Sequence, residues 1–305
     1  DGIRDCLLSR GLGDVYKRQN THCTPLVVKS VLEHPITSGS CSAELGYSTH
    51  VKQVEETTAK FVGKETAVVV GMGFATNSTV IPALCGAGDL ILSDALNHNS
   101  IVEGARLSGA KIKAFNHNCV GDLELLLQQA VAGKGARYNK IMVIVEGIYS
   151  MDGDEAPLQE LAELCLEDGR AGLIVDEAHS TGILGDGGRG AVSTLPPQLR
   201  RAVVAQVHTF GKALGGHGAV VVCDATTREY LANYAQPFVY ATAPPDSHSR
   251  LARRAYEAVA AADDARRHLA RLIDLFRAEC DVGSLLLPVS YTRLRAHETR
   301  GNLVC

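Results

Sequence analysis

The 305-residue sequence predicts an α/β fold with a seven-stranded, mostly parallel β-sheet flanked by helices. Three observations support this prediction. Short β-branched runs recur along the chain, most of them are continuously apolar, and amphipathic stretches separate them. Continuous apolar runs are typical of strands that are buried on both faces. The predicted strands are residues 66–70, 89–92, 111–115, 140–145, 172–175, 202–208 and 218–223.

Two of the intervening stretches carry apolar residues at helical spacing. Pro157 stands where the second of these helices would begin, and proline is favoured in the first turn of a helix. Alternation of strands and helices predicts parallel strands covered on both sides. The apolar faces are Leu123, Leu126, Leu127 and Ala130 in the first helix, and Leu158, Leu161, Ala162 and Cys165 in the second.

The pattern changes near Pro244 and Pro245, after which residues 249–276 are almost entirely helical in character. Residues 20–245 are therefore predicted to form one large domain. Residues 246–287 are predicted to begin a smaller C-terminal domain that is truncated, because too few residues follow to complete it.

The two ends of the chain, residues 1–19 and 288–305, show no sustained helical or strand periodicity. We interpret both as non-native tails and leave them out of the fold prediction. A native targeting segment or membrane anchor would precede residue 20, so membrane contact through such a segment stays open.

Composition and charge narrow the class of protein. The formal net charge of −4 offers no positive potential for binding nucleic acid, and no apolar run approaches the length that crosses a bilayer. The nine cysteines are scattered and none forms a C-x-x-C pair, so no metal site is predicted. We expect reduced cysteines and a cytoplasmic protein.

The first candidate motif is the glycine-rich stretch GMGF at residues 71–74, directly after a predicted strand. Glycine lets the backbone approach an anion closely, and the N-terminus of the following helix offers unpaired N–H donors. A phosphate site and a tight packing turn are equally compatible with this motif on its own.

The second candidate motif is NHNS at residues 97–100, which places His98 just before a predicted helix. A helix-capping polar turn is the simpler interpretation of these residues. A functional histidine is the alternative, because the motif follows a strand of the predicted sheet.

The third candidate motif, VDEAHSTG at residues 175–182, places Asp176 at the end of a buried strand and His179 three residues later. A metal-binding acid of a DEAH-type helicase is one interpretation, but the G-x-x-x-x-G-K-[ST] phosphate loop of that class does not occur in the sequence. An acid that pairs with the pyridinium nitrogen of a cofactor is the second. A capping aspartate is the third.

The fourth candidate motif, HTFGKALGGHG at residues 208–218, places Lys212 among glycines between two predicted strands. Burial of an ammonium group costs several kcal/mol unless it is paired or neutralised. Imine formation with an aldehyde neutralises it. Because Asp176 lies one strand–helix unit earlier, both side chains are predicted to line one cleft at the carboxyl ends of the strands.

These motifs, taken in order, resemble the α-oxoamine synthases, which are pyridoxal 5′-phosphate (PLP) enzymes of fold type I. The resemblance covers roughly residues 35–245. The first two motifs look most like the catalytic subunit of serine palmitoyltransferase, and the lysine segment looks more like 8-amino-7-oxononanoate synthase. The matching stretches are GMGFATNSTVIPAL, LSDALNHNSIVEGARLSGAKIKAFNHN, VEGIYSMDGD, VDEAHSTGILGDGGRG and HTFGKALGGHGAVV.

The resemblance implies roles for four catalytic residues. Lys212 would carry the cofactor through an imine and then shuttle protons. Asp176 would pair with the pyridine nitrogen, His179 would contact the 3′-oxygen of the ring, and His98 would stack on the ring face.

The resemblance also implies a set of cofactor-binding residues. Backbone groups of Gly73 and Phe74, with the hydroxyl of Thr209, would hold the phosphate, and Ser150 would lie near the cofactor. Thr242 matches a position that reaches the phosphate of a partner subunit, so a homodimer or heterodimer is expected.

The sequence departs from the family pattern at several positions. Gly211 precedes the lysine where the family usually has serine or threonine. Residues 39–47 lack the usual arginine and are short, and the stretch YATAPP at residues 240–245 lacks one residue. The arginine that binds the substrate carboxylate belongs to the C-terminal domain, so we expect the truncated chain to be inactive.

The implied reaction is the decarboxylative condensation of an amino acid with an acyl-CoA. Serine and a long-chain acyl-CoA, the substrates of sphingoid base synthesis, are the favoured pair. Alanine and pimeloyl-CoA, as in biotin synthesis, are the alternative. A non-catalytic subunit of a heteromeric synthase is a further alternative, although that partner typically lacks the lysine. For a full-length serine palmitoyltransferase the expected location is the cytosolic face of the endoplasmic reticulum.

Overall fold

A computed structural model describes residues 39–42, 45–132 and 138–279, together with residues 29 and 33. The predicted non-native tails, residues 1–19 and 288–305, lie outside the described residues.

The described chain contains a single seven-stranded sheet with the strand order β1-β7-β6-β5-β4-β2-β3. All seven predicted strands are confirmed, each to within about two residues at either end. The strands are β1 (Thr66–Val70), β2 (Leu90–Asp94), β3 (Lys111–Phe115), β4 (Ile141–Glu146), β5 (Ala171–Asp176), β6 (Val203–Thr209) and β7 (Ala219–Cys223).

One strand runs against the others. β7 pairs antiparallel with both of its neighbours, β1 and β6, whereas β3, β2, β4, β5 and β6 pair in parallel. The mostly parallel sheet predicted from the sequence is therefore confirmed. Because the carboxyl ends of parallel strands meet at one edge, the residues that follow β2, β4, β5 and β6 converge there.

Nine α-helices surround the sheet in the described part of the chain. Helix boundaries follow local signals: Ser48 caps the first helix by accepting the N–H of Val51, and Gly63 ends it in the left-handed conformation at φ 80°. The helices are α1 (Thr49–Val62), α2 (Gly73–Leu84), α3 (Asn99–Leu107), α4 (Val120–Ala132), α5 (Leu158–Asp168), α6 (Ala225–Tyr234), α7 (Gln236–Tyr240), α8 (Asp246–Ala260) and α9 (Asp263–Glu279).

The helices form a layer on each face of the sheet. α2, α3, α6 and α7 pack on the face that carries Ile91, Ile144 and Val221. α4 and α5 pack under β2 to β5 on the opposite face, where the predicted apolar residues Leu123 and Leu161 are buried. Burial of the central strands on both faces explains their continuous apolar sequences.

Residues 249–276, which the sequence predicts to be almost entirely helical, are divided between two helices. α8 ends at Ala260 and α9 begins at Asp263, since Arg266 binds both the carbonyl of Val259 and the Asp263 carboxylate and so stabilises the break. α8 also packs on α1, where Ala252, Ala255 and Tyr256 join one buried cluster with residues of β1 and β7. The division of domains at residue 245 stays a prediction.

None of the described helices has both the length and the apolar character that spanning a bilayer requires.

Candidate active site

A cavity of about 310 Å³ lies at the carboxyl edge of the parallel strands. It brings together residues from all four motifs, although more than 100 positions separate the first from the last. Its lining is Gly73, Phe74, Asn77, His98, Ser100, Glu146, Asp176, Ala178, His179, Val207, Thr209 and Lys212. The prediction that Asp176 and Lys212 face one cleft therefore agrees with the structure.

Asp176 ends β5 and is buried. One carboxylate oxygen accepts the backbone N–H of Ala178 at 2.9 Å. The other accepts the side-chain amide of Asn77 at 2.6 Å. The first contact is a turn-capping bond, so the capping interpretation of Asp176 holds for one oxygen. The second contact reaches α2 and holds the carboxylate against the cavity wall.

The next residue, Glu177, is also buried but turns away from the cavity. Its carboxylate accepts the backbone N–H groups of Ala191 and Val192 at 2.7 and 2.8 Å and binds the hydroxyl of Ser180. Burial raises the pKa of Glu177 to about 7. Of the two adjacent acids, only Asp176 is therefore placed to meet a ligand.

His98 caps α3 and also lines the cavity, so the capping interpretation of its motif is confirmed and its functional role stays a prediction. Its Nδ1 accepts the N–H of Ser100 at 3.2 Å. The Ser100 hydroxyl lies 2.7 Å from the same nitrogen and accepts the Asn77 amide at 3.0 Å. A continuous hydrogen-bonded chain thus joins Asp176, Asn77, Ser100 and His98.

Two polar residues of the cavity were missed by sequence reasoning, Asn77 and Glu146, and Ser100 was included in the second motif without a role of its own. Asn77 follows Gly73 by four residues, so a polar residue one helical turn after the glycine motif was a usable signal. Glu146, like Asp176, is an acid that ends a continuously apolar strand. The same rule that selected Asp176 could have selected it.

Glu146 lies directly beside Asp176 because the two residues pair across β4 and β5. Its Oε1 accepts the backbone N–H of His98 at 2.6 Å. Burial, reinforced by the charge of Asp176, raises the pKa of Glu146 well above its ordinary value, while the N–H groups of His98 and Ser150 act in the opposite direction.

Burial also raises the pKa of Asp176, but the bonds from Ala178 and Asn77 and the nearby His98 and Lys212 oppose this rise. Because two adjacent buried carboxylates do not both ionise readily, the pair favours a state in which Glu146 and Asp176 share one proton.

The opposite part of the cavity suits an anion. α2 begins at Gly73 without any side-chain cap, so its first N–H groups remain available to a ligand. A Cβ at Gly73 would lie 3.0 Å from the hydroxyl of Thr209. That hydroxyl accepts the N–H of Gly211 at 3.2 Å, next to Lys212. A helix N-terminus, a hydroxyl and a lysine therefore share one pocket.

Two predicted site residues do not line the cavity. Ser150 lies on the turn after β4, and its backbone N–H binds the Glu146 carboxylate. Thr242 is exposed and forms an isolated bridge with Cys41. His179, in contrast, is buried and lines the cavity beside Ala178.

Substitution of Gly73 by alanine is expected to weaken PLP binding about tenfold, because the new methyl group crowds Thr209 where the phosphate should sit. Fluorescence titration with PLP measures the affinity. Gly121→Ala is the matched control, since Gly121 also lies in the first turn of a helix and a Cβ there meets no heavy atom within 4 Å. Equal affinities of the two variants would contradict the assignment of a phosphate site to Gly73.

The fold and the cavity together define the large domain of a fold-type-I PLP-dependent transferase, in which a lysine and an acid meet beyond the strand ends. The chain belongs to the aminotransferase class I and II family, whose sequence model matches residues 11–290. PLP is the cofactor of this group of enzymes.

Two named proteins match large parts of the chain. Long chain base biosynthesis protein 2a of Arabidopsis thaliana is 37% identical over 268 residues, covering 85% of this chain and 54% of its own length. An 8-amino-7-oxononanoate synthase of Geobacter sulfurreducens is 40% identical over 252 residues, covering 82% of this chain and 62% of its own length. The chain thus spans a little over half the length of these relatives.

The fold also matches a solved structure. A serine palmitoyltransferase from S. paucimobilis, solved with bound PLP and myriocin, superposes with a TM-score of 0.76. It is 27% identical in sequence, and the match covers 86% of this chain and 65% of that one. The predicted resemblance to α-oxoamine synthases is confirmed at the level of family.

Proposed function

We propose that the protein catalyses the decarboxylative condensation of an amino acid with an acyl-CoA, with serine and a long-chain acyl-CoA as the favoured substrates. The observation that carries this proposal is the single cavity that holds Lys212, Asp176, His98 and the uncapped N-terminus of α2. The relatives in long chain base biosynthesis support the choice of substrates.

The donor set of the cavity fits PLP. The backbone of Gly73 and Phe74 with the Thr209 hydroxyl suits a phosphate, and the carboxyl group of Asp176 suits the nitrogen of a pyridine ring. Lys212 would supply the amine that holds the aldehyde. When bound, the cofactor acts as an electron sink for the Cα of the amino acid.

Each side chain then has a defined task. Asp176 would hold the proton on the ring nitrogen, and Asn77 holds Asp176 in place. His98, fixed by Ser100 and by Glu146, would cover one face of the ring. The Lys212 amine would take a proton from Cα of the amino acid and return one.

The atoms of the proposed reaction balance without an oxidant or reductant. The Cα–carboxyl bond of the amino acid breaks and releases CO2. A new bond forms between Cα and the acyl carbonyl carbon, whose bond to sulfur breaks. The thiolate of CoA leaves and takes a proton, and the product is an α-amino ketone.

A dimer is part of the proposal. Thr242 is exposed, and its carbonyl lies 3.9 Å from the position of a Cβ on Gly71, at the entrance to the glycine motif. The contact with Gly71 lies within this chain. The exposure of Thr242 leaves it accessible to a second subunit, as the prediction that it reaches a partner's phosphate requires.

Particular observations bear on each of the two alternative functions. The 40% identity to the Geobacter sulfurreducens enzyme favours alanine and pimeloyl-CoA as the second substrate pair. A non-catalytic subunit would not need a lysine in the cavity, so the position of Lys212 argues against that role.

The release of CoA thiol tests the substrate assignment. This chain and a form extended by a complete C-terminal domain are each incubated with PLP and either serine plus palmitoyl-CoA or alanine plus pimeloyl-CoA. We expect turnover in the extended form only, as the truncation predicted from the sequence implies. We expect serine and palmitoyl-CoA to release CoA at least about tenfold faster, because a pocket can reject a poor substrate by a kcal/mol or more. Faster release with the second pair would favour 8-amino-7-oxononanoate synthesis.

A further inference from the structure

A cluster of polar residues lies behind the cavity, between the ends of β2 and β3 and the turn after β4. At its centre is His117, two residues beyond the end of β3. Its Nδ1 lies 2.8 Å from an oxygen of Asp94, at the end of β2. Its Nε2 lies 2.6 Å from an oxygen of Asp154.

The imidazole of His117 is stabilised in its charged form because it lies between two carboxylates. A neutral imidazole carries one N–H and could donate to only one of them, leaving a lone pair against the other carboxylate. Asp94 acts as a hydrogen-bond acceptor to its other neighbours too, because its oxygens also accept the backbone N–H groups of Leu96 at 2.8 Å and Asn118 at 2.9 Å. The imidazolium form satisfies both acids at once.

Asn118 completes the cluster from an unusual backbone conformation. It is the one described residue other than glycine with a positive φ, 53°, a region that asparagine tolerates better than most residues. This conformation lets its side-chain amide donate to Asp154 at 2.6 Å while its backbone N–H binds Asp94. His117 and Asn118 together tie Asp154 to the end of β2.

Asp154 belongs to a closed turn, residues 149–154, which we call the Ser150 turn. The backbone N–H of Tyr149 binds the carbonyl of Asp154 at 2.9 Å, and that of Gly153 binds the carbonyl of Tyr149 at 2.8 Å. Ser150 donates its backbone N–H to Glu146, which in turn holds the N–H of His98. The Ser150 turn is thus connected to His98 of the cavity by two hydrogen bonds, both of which Glu146 accepts.

We propose that His117 is a positioning residue for the cofactor cavity: its protonated ring locks the Ser150 turn in place, and the lock weakens when the ring loses its proton. This inference rests on the proposed function, because it concerns the affinity of the same cavity for PLP.

Charged and titratable groups face His117 from each element that surrounds it. They are Asp94 from β2, Asp154 from the Ser150 turn and the phenol of Tyr149, whose ring lies edge-on at 4.5 Å. Asp122 of α4 binds the backbone N–H of the neighbouring Asn116. Burial alone lowers the pKa of His117, but the hydrogen bonds and charges of Asp94 and Asp154 outweigh it and raise the pKa above its ordinary value.

The direction of the pH effect follows from the raised pKa of His117. A histidine whose pKa is raised by folding stabilises the folded state fully below its ordinary pKa, and the contribution disappears as pH rises through the raised value. The lock should therefore hold at acidic and near-neutral pH and weaken in the alkaline direction.

The test compares the parent with His117→Gln, whose amide is neutral at every pH. The dissociation constant of PLP is measured by fluorescence titration between about pH 6 and pH 9.5, a range that brackets histidine titration. At the acidic end we expect the variant to bind PLP about tenfold more weakly than the parent. The ratio of the two constants should fall toward one as pH rises, because only the parent loses a charge.

Two further variants complete the experiment, one as a control and one as a second test. His268→Gln, on α9, is the matched control and should follow the parent at every pH. Asp154→Asn removes one charge but keeps an oxygen within hydrogen-bonding distance, so it should also weaken PLP binding at the acidic end. This variant provides the test if His117→Gln does not fold.

A second measurement does not depend on the cofactor. An NMR titration of the His117 ring should give a pKa above the ordinary value for histidine. A lower pKa, parent-like affinity of His117→Gln, or an affinity ratio that is constant across pH would each overturn the role of His117. Failure of the parent to bind PLP at any pH would overturn the proposed function instead, so the two failures are distinguishable.

Discussion

In a form of the protein extended by a complete C-terminal domain, Lys212→Ala is expected to lose both the covalent attachment of PLP and all measurable turnover. No other amine lines the cavity in the described residues, so no other group there can form the imine or move the proton at Cα. Borohydride reduction of the parent with PLP, followed by peptide mapping, should place the label on Lys212. In the variant the label should disappear.

The control for this experiment is Lys60→Ala, which removes an exposed lysine of α1. It should keep the parental label and rate. A borohydride label on Lys64 or Lys140 in the parent would contradict the assignment. Lys64 has a different task in the structure, since its amine binds the carbonyl of Val203 at 2.8 Å.

In the same extended form, Asp176→Asn is expected to retain PLP but to lower turnover by at least about a hundredfold, which corresponds to roughly 2.7 kcal/mol of barrier. The neutral amide fits the same space but cannot hold the proton on the ring nitrogen, so the cofactor becomes a poorer electron sink. CoA release measures the rate, and the visible absorbance of bound PLP measures occupancy.

Asp264→Asn is the control for Asp176→Asn, because Asp264 is an exposed acid that pairs with Arg267 on α9. It should behave like the parent. Parental turnover in Asp176→Asn, with PLP bound, would show that Asp176 has no role at the ring nitrogen. Loss of PLP with no change in rate per bound cofactor would assign Asp176 to binding alone.

Much of the fold could be predicted because its determinants are local. A strand buried on both faces needs apolar residues at every position, so β1, β4 and β7 were recognisable from short runs of sequence. Helices on the faces of a sheet need apolar residues at helical spacing, which located α4 and α5. The division between α8 and α9 was missed because no proline or glycine marks it.

The candidate site was predictable only where a chemical group stands at a recognisable strand end. Lys212 and Asp176 met that condition, and both line the cavity. Asn77 did not, because it lies inside α2 rather than at the end of a strand. Its importance comes from the 2.6 Å contact with Asp176, which lies 99 positions away in the chain.

The sequence by itself determined the strands, the order of the motifs and the residue types that PLP chemistry needs, since each depends on neighbours along the chain. The order of strands in the sheet was decided by tertiary structure. Pairing of β4 with β5 sets Glu146 beside Asp176, and pairing of β2 with β3 and β4 brings His117 between Asp94 and Asp154. Such contacts shift pKa values through burial and charge, and both depend on which strands are neighbours in space.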